Sequence, residues 1–191
     1  QTLVKLIATI TKGDATDTKE FSIYIGEAQT FDIIDLYDVI SGRTVTLEGV
    51  ILGMSANNTV SIQDETGAIA LYGTALGKDE LADIKVGDLI TVTGKKDFYN
   101  GLHQIGRFEL VGEKAEGTIP AVVNLDEIEK LDDETLLPYQ SQFVTISNLE
   151  VVSVKIDDYG SVEMTLKRIT DGETINYKWD NRVDYEEKDE L

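Results

Sequence analysis

The stretch Thr44-Val45-Thr46-Leu47-Glu48-Gly49-Val50-Ile51-Leu52-Gly53 decides the fold. Val45 and Leu47 alternate with Thr44, Thr46 and Glu48, the period of a strand with one wet face. Val50 and Leu52 continue the alternation in the opposite phase, so the inward register is expected to shift at Gly49. A mid-strand glycine where the phase slips reads as a bulge, which bends the strand.

Downstream, the turn Ala56-Asn57-Asn58 leads into a second strand, Asn58 to Asp64, with Val60 and Ile62 inward. Asp64-Glu65-Thr66-Gly67 is a tight turn. A third strand, Ala68 to Gly73, has Ile69 and Leu71 in and Ala68, Ala70 and Tyr72 out. Thr74 to Lys85 carries a helical pattern through Leu76, Leu81 and Ile84. Val86-Gly87-Asp88 turns into a fourth strand, Leu89–Gly94. Asn100-Gly101, a strong hairpin signal, precedes a fifth, His103–Val111. Three strands, a helix and two strands, the first long and bent, is the layout of a five-stranded Greek-key OB barrel with one short helix. The expected class is therefore all-β, with this barrel at residues 43–112 and a second β-rich unit elsewhere.

The flanks are less regular. Residues 1–42 read as a hairpin (Leu3–Thr11 and Lys19–Ile25) and a connector with a helical turn whose Ile33, Leu36 and Ile40 share a face. Residues 113–141 read as a linker with a short helix at Leu125–Leu131, entered by Asn124 with Glu127 three residues on, a capping box. Residues 142–191 give three strands, Phe143–Val154, Ser161–Ile169 and Thr174–Trp179, and an acidic tail. Three strands leave open edges. A lone hairpin is marginally stable, so the hairpin at 1–26 is expected to pair with strands 142–180 and complete one sheet.

Composition removes whole classes of chemistry. The 191 residues include no cysteine and one histidine, His103, which excludes disulfides, thiol catalysis, Cys-based zinc sites and multi-His metal centres. No run approaches the length of a membrane span, and no signal-peptide pattern is visible at Gln1. No phosphate loop, Ser-His-Asp ordering or Asp-x-Asp-x-Asp-Gly calcium loop is present. No catalytic centre, metal or cofactor is expected. The acidic stretches at Asp132-Asp133-Glu134 and 184–190 read as solvated surface, and Trp179 as core. The net charge of −19 counts against a polyanionic ligand. It is unevenly spread: nine acids against six bases give residues 43–112 a charge of −3, leaving −16 for the flanks.

The ligand of an OB barrel crosses the outer face of strands two and three, between the first and last inter-strand loops. That face offers Asn58, Ser61, Gln63 and Tyr72. The last hairpin adds Lys95, Lys96, Phe98, Tyr99, His103 and Arg107. Aromatic rings stack on bases while nearby cations meet phosphates, the usual single-strand arrangement. Lys95-Lys96-Asp97-Phe98-Tyr99 is where bases and aromatics interleave. The competing reading makes the lysines a solubility pair and the aromatics a plug for the barrel end. The test between them is whether Lys95, Lys96, Phe98, Tyr99 and Arg107 converge beside Tyr72.

Glu48-Gly49-Val50-Ile51, Ile62-Gln63-Asp64-Glu65-Thr66-Gly67 and Val86-Gly87-Asp88-Leu89-Ile90-Thr91-Val92-Thr93-Gly94 resemble the OB-fold nucleic-acid-binding domains of bacterial extracellular nucleases and related surface proteins. Thr9–Thr16 resembles the last hairpin of a bacterial immunoglobulin-like domain, and residues 142–180 the first strands of a second OB unit. The resemblance implies a non-catalytic accessory module, extracellular or on the cell surface, that binds single-stranded DNA or RNA beside neighbouring domains of a larger polypeptide, without membrane insertion. The alternative is a structural or adhesive spacer, or a carbohydrate- or peptide-binding module.

Overall fold

A computed structural model of the chain describes residues 2–13, 15–25, 29–54, 59–73 and 83–179. Asn58, most of the expected 74–85 helix and the acidic tail lie outside the described residues. The strands, in chain order, are β1 (Thr2–Lys12), β2 (Ala15–Ile25), β3 (Gln29–Thr30), β4 (Thr44–Met54), β5 (Val60–Gln63), β6 (Ala68–Tyr72), β7 (Asp88–Tyr99) and β8 (Leu102–Leu110). They continue with β9 (Ala115–Glu116), β10 (Val123–Asn124), β11 (Val144–Thr145), β12 (Leu149–Ile156), β13 (Val162–Arg168) and β14 (Thr174–Trp179). A helix of four residues, α1, spans Asp133–Leu136. Among the described residues no helix is long and apolar enough to cross a membrane.

The barrel closes in the order β4-β5-β6-β8-β7 and back to β4. β4 makes closure possible by serving two neighbours, β7 along Thr44–Val50 and β5 along Val50–Met54. Its bulge does not sit at Gly49. Val45, Leu47 and Ile51 all enter one core cluster, so the inward phase runs straight through the glycine. The pairing with β5 slips between Ile51 and Gly53 instead. Gly49 answers a different demand: a Cβ there would lie 3.1 Å from the Gln63 carbonyl oxygen, where β5 crosses β4 most closely. Val50 and Leu52, on the opposite phase, are buried too. Val50 is covered by the chain near Gly117, where a Cβ would come within 2.6 Å of its Cγ2.

The core holds Val60, Ile62, Ile69, Leu71, Ile90, Val92, Ile105 and Phe108, each at most 1% exposed. A 3-10 turn at Ile34–Asp38 caps one end with Ile33 and Leu36, both fully buried. The expected third member of that face, Ile40, is 56% exposed. Three residues per turn put Val39, not Ile40, in line with Ile33 and Leu36, and Val39 packs against the core. Ala68 and Ala70, expected to face out, are also buried.

The region after the barrel departs further from expectation. Residues 115–116 add β9 to β7 rather than beginning a linker. The expected helix at Leu125–Leu131 is a series of turns, and α1 lies beyond it. Asn124 Oδ1 accepts from Asp126 N at 2.7 Å, an Asx turn in place of the capping box. The Arg168 guanidinium donates to the Ile128 and Glu129 carbonyls at 2.8 and 3.2 Å. The hairpin β1–β2 forms its own two-stranded sheet, and β12-β13-β14 forms another. The expected pairing between them is absent among the described residues.

Candidate functional site

The alternation of β7 sorts the lysine–aromatic run onto two faces. Lys96 and Phe98 point to the end of the barrel, while Lys95, Asp97 and Tyr99 point to the outer surface. The two sets have different surroundings and different chemistry.

The first set is a plug. Lys96 is 1% exposed, and its Nζ donates to the Asp97 carbonyl at 2.6 Å and lies 3.0 Å from His103 Nδ1. The His103 ring stacks on Tyr37, centroids 4.5 Å apart and 5° from parallel, and meets Phe98 at 4.7 Å. Tyr37 donates its hydroxyl to the Ala68 carbonyl at 2.8 Å, and burial pushes its pKa up to about 12. Burial also draws the Lys96 ammonium below its ordinary range. Burial, then the Lys96 charge, does the same to His103. Gln140, from the short turn after α1, clamps the His103 backbone through Oε1 to N at 3.1 Å and Nε2 to O at 3.3 Å. Lys96 and His103 therefore pack into the barrel end, with Phe98 against the His103 ring, and the Gln140 clamp fastens the following segment to it. Phe98 nonetheless stays half exposed, and Lys96 also borders the groove that Tyr72 and Tyr99 line.

The second set lines a groove of about 770 Å³ with Thr59, Tyr72, Gln104 and Arg107. Tyr72 and Tyr99 are 49% and 64% exposed. Among the described residues no hydrogen bond or ion pair engages the side chain of Lys95 or Arg107, whereas Lys5, Lys114, Lys167 and Arg168 are each held by a carboxylate. The one acid in the groove is already occupied: Asp97 accepts from Phe98 N at 2.8 Å and from Gln104 Nε2 at 3.1 Å. Two uncommitted cations and two exposed tyrosine rings thus share one concavity.

Arg107 reaches the groove at a backbone cost. The β7–β8 register slips between Thr93 and Lys95, so Gly94 faces both Arg107 and Phe108. Phe108 turns into the core, and Arg107 turns out with φ at +51°. The left-handed region disfavours a non-glycine residue by about 1–2 kcal/mol. Gly94 admits the bulge, since a Cβ there would lie 2.5 Å from Ile105 Cγ2 and 3.1 Å from the Gly106 carbonyl oxygen.

Of the other expected site residues, Ser61 pairs with Ala70 on the outer face and does not line the groove. Gln63 lies in a separate depression of about 810 Å³ among Asp32, Glu48, Asp64 and Glu65, whose charge repels phosphate. Asp97, Leu102 and Gln104 line the groove without having been singled out. The period of β8, which places residues 104 and 106 on one face, is the signal that would have found Gln104.

The fold defines a small, closed five-stranded OB-type barrel with flanking sheets. No family model and no curated protein matches the chain. It is similar to a solved structure titled "hypothetical protein ygiW from E. coli", at 16% identity and a TM-score of 0.36, covering 46% of this chain and 100% of that one.

Proposed function

We propose that the chain is a non-catalytic binding module whose groove takes single-stranded nucleic acid, DNA or RNA. Tyr72 and Tyr99 stack on bases, and Lys95 and Arg107 meet the intervening phosphates. The observation that carries this reading is the pair of uncommitted cations beside exposed tyrosines in a chain of net charge −19, where nearby carboxylates are plentiful. Arg107 adds support, because a strained residue aimed into a groove is where function offsets a local cost. The motif resemblance supports reading the module as part of a secreted or surface-attached bacterial protein, an accessory to a nuclease among neighbouring domains. A second reading, a carbohydrate-binding module, is favoured by the fixed Asp97–Gln104 pair beside the tyrosines, which presents polar atoms to hydroxyls.

The experiment is fluorescence anisotropy of a labelled oligothymidine of about 12 nucleotides, within the site size of one OB fold, at several salt concentrations. Two phosphate contacts predict a log–log salt slope of about −1.4, falling to about −0.7 in Lys95→Ala or Arg107→Ala. Tyr99→Ala is expected to weaken binding about tenfold at any salt. No binding at low salt would overturn the nucleic-acid reading and leave the carbohydrate one standing.

A further inference from the structure

The sheet β12-β13-β14 ends in an unpaired strand. Among the described residues β12 pairs only with β13, and nearly its whole length is exposed. Its register on β13 sets Glu150 against Lys167, Ser153 against Thr165 and Lys155 against Glu163 on a polar face, with Val151 against Leu166 and Val154 against Met164 on an apolar one. Residues five apart in a regular strand lie on opposite faces. Glu150 and Lys155 share a face because the register slips at Val152. A bulge usually protects an edge from pairing. Here it makes the edge self-complementary.

Two copies of β12, antiparallel about a two-fold axis between Val152 and Ser153, set Glu150 opposite Lys155 of the second copy and Val151 opposite its Val154. Leu149 then meets Ile156. The hydrogen-bond phase agrees. Ile169 N donates to Asn148 O at 2.9 Å, which makes 148/169 a hydrogen-bonded pair and, with the β12–β13 register, 150/167 and 155/163 as well. The amides of residues 149, 151, 154 and 156 therefore point away from β13, and these are the positions that pair in the two-fold register. Glu150 and Lys155 fall at non-hydrogen-bonded positions, where side chains approach most closely. The charge order also continues across the junction. Lys178, Glu163 and Lys155 form one cross-strand row, and Glu150 and Lys167 of the second copy extend it with alternating sign. A one-residue slip would turn every apolar side chain to the wrong face.

We propose that β12 pairs with β12 of a second copy, joining the two carboxy-terminal sheets into one continuous sheet across a two-fold axis. The occupant is another copy of this chain because the pattern complements itself, which an unrelated strand has no need of. The contact uses the same edge on both sides, so it closes at a dimer.

The test is sedimentation velocity of the full chain over a range of concentrations, with circular dichroism to check folding. The wild type is expected to dimerise reversibly. Glu150→Lys and Lys155→Glu each set like charges opposite one another at both ends of the contact, and each is expected to weaken the dimer by about tenfold or more. An equimolar mixture of the two variants restores it, because one chain then presents only lysines and the other only glutamates. As a second measurement, independent of charge, Val151→Cys and Val154→Cys chains mixed under oxidising conditions are expected to cross-link to each other and not to themselves; the native chain has no cysteine to interfere. A wild type that sediments as a monomer up to its solubility limit, a mixture that stays monomeric, or cysteine variants that fail to cross-link overturns the proposal.

Discussion

The barrel and the carboxy-terminal sheet are made of the same material, strands that alternate apolar and polar residues, yet they dispose of their apolar faces differently. In the barrel the sheet curls on itself, so that Leu47, Ile62, Ile90 and Phe108 face one another and lose almost all contact with water. In the β12–β14 sheet three strands cannot close. Val151, Val154, Ile156 and Tyr177 stay between 45% and 70% exposed. Closure, not hydrophobic content, separates a core from a sticky surface. The hairpin β1–β2 repeats the lesson: Leu6, Ile10 and Phe21 share one face and stay exposed among the described residues.

The sharpest way to break this comparison is a matched pair of truncations. Phe108→Ala is expected to cost about 3–5 kcal/mol, as for any fully buried aromatic. Leu166→Ala, in the half-covered sheet, is expected to cost about 1 kcal/mol. Chemical denaturation measures both. Equal losses would mean that the sheet's apolar face is covered in solution.

Next in size is a test within the barrel, at the residue that joins its packing to its groove. Arg107→Gly is expected to gain about 1 kcal/mol of stability over Arg107→Ala, since glycine accepts the positive φ without strain. Both substitutions are expected to weaken oligonucleotide binding equally. A gain in stability with a loss in binding sets the cost of holding Arg107 there against its use.

The smallest expected effect is the pH response of the plug. His103 faces the Lys96 ammonium, Asp38, and the rings of Tyr37 and Phe98. Its pKa is lower in the folded chain than in the unfolded one. The unfolded state therefore binds the proton first, and stability is full above about pH 6.5 and falls as pH drops through the interval between the two values. His103→Gln is expected to flatten that part of a stability–pH profile. A profile unchanged by the substitution would mean that His103 is not held neutral against Lys96.

Local pattern was enough to read the barrel. Alternation located each of its strands, Asn100-Gly101 gave the last hairpin, and the strand order with one long first strand gave the topology. Where the sequence misled, a partner distant in the chain had intervened. Asn124 accepts from Asp126 N in place of a helix cap, and Asp126 in turn holds Ser147 N, twenty-one residues on. Gly49 owed its place to Gln63 on the next strand rather than to a bulge. The 3-10 period of residues 34–38 exchanged Ile40 for Val39 because the turn had to lie flat on the barrel end.

The candidate site divides along the same line. Composition and spacing put Tyr72, Lys95, Tyr99 and Arg107 on the ligand side, and these four meet in one groove. Lys96, Phe98 and His103 looked equivalent because they are neighbours in sequence. Side chains one residue apart on a strand face opposite ways, and only the closed barrel decided which way was inward. The sequence alone determined that the chain is all-β, that a five-stranded barrel fills its middle, and that lysines and aromatics interleave in one hairpin. The tertiary structure decided that Lys96 is buried while Lys95 and Arg107 line an open groove, because burial depends on what a strand packs against and not on the strand itself.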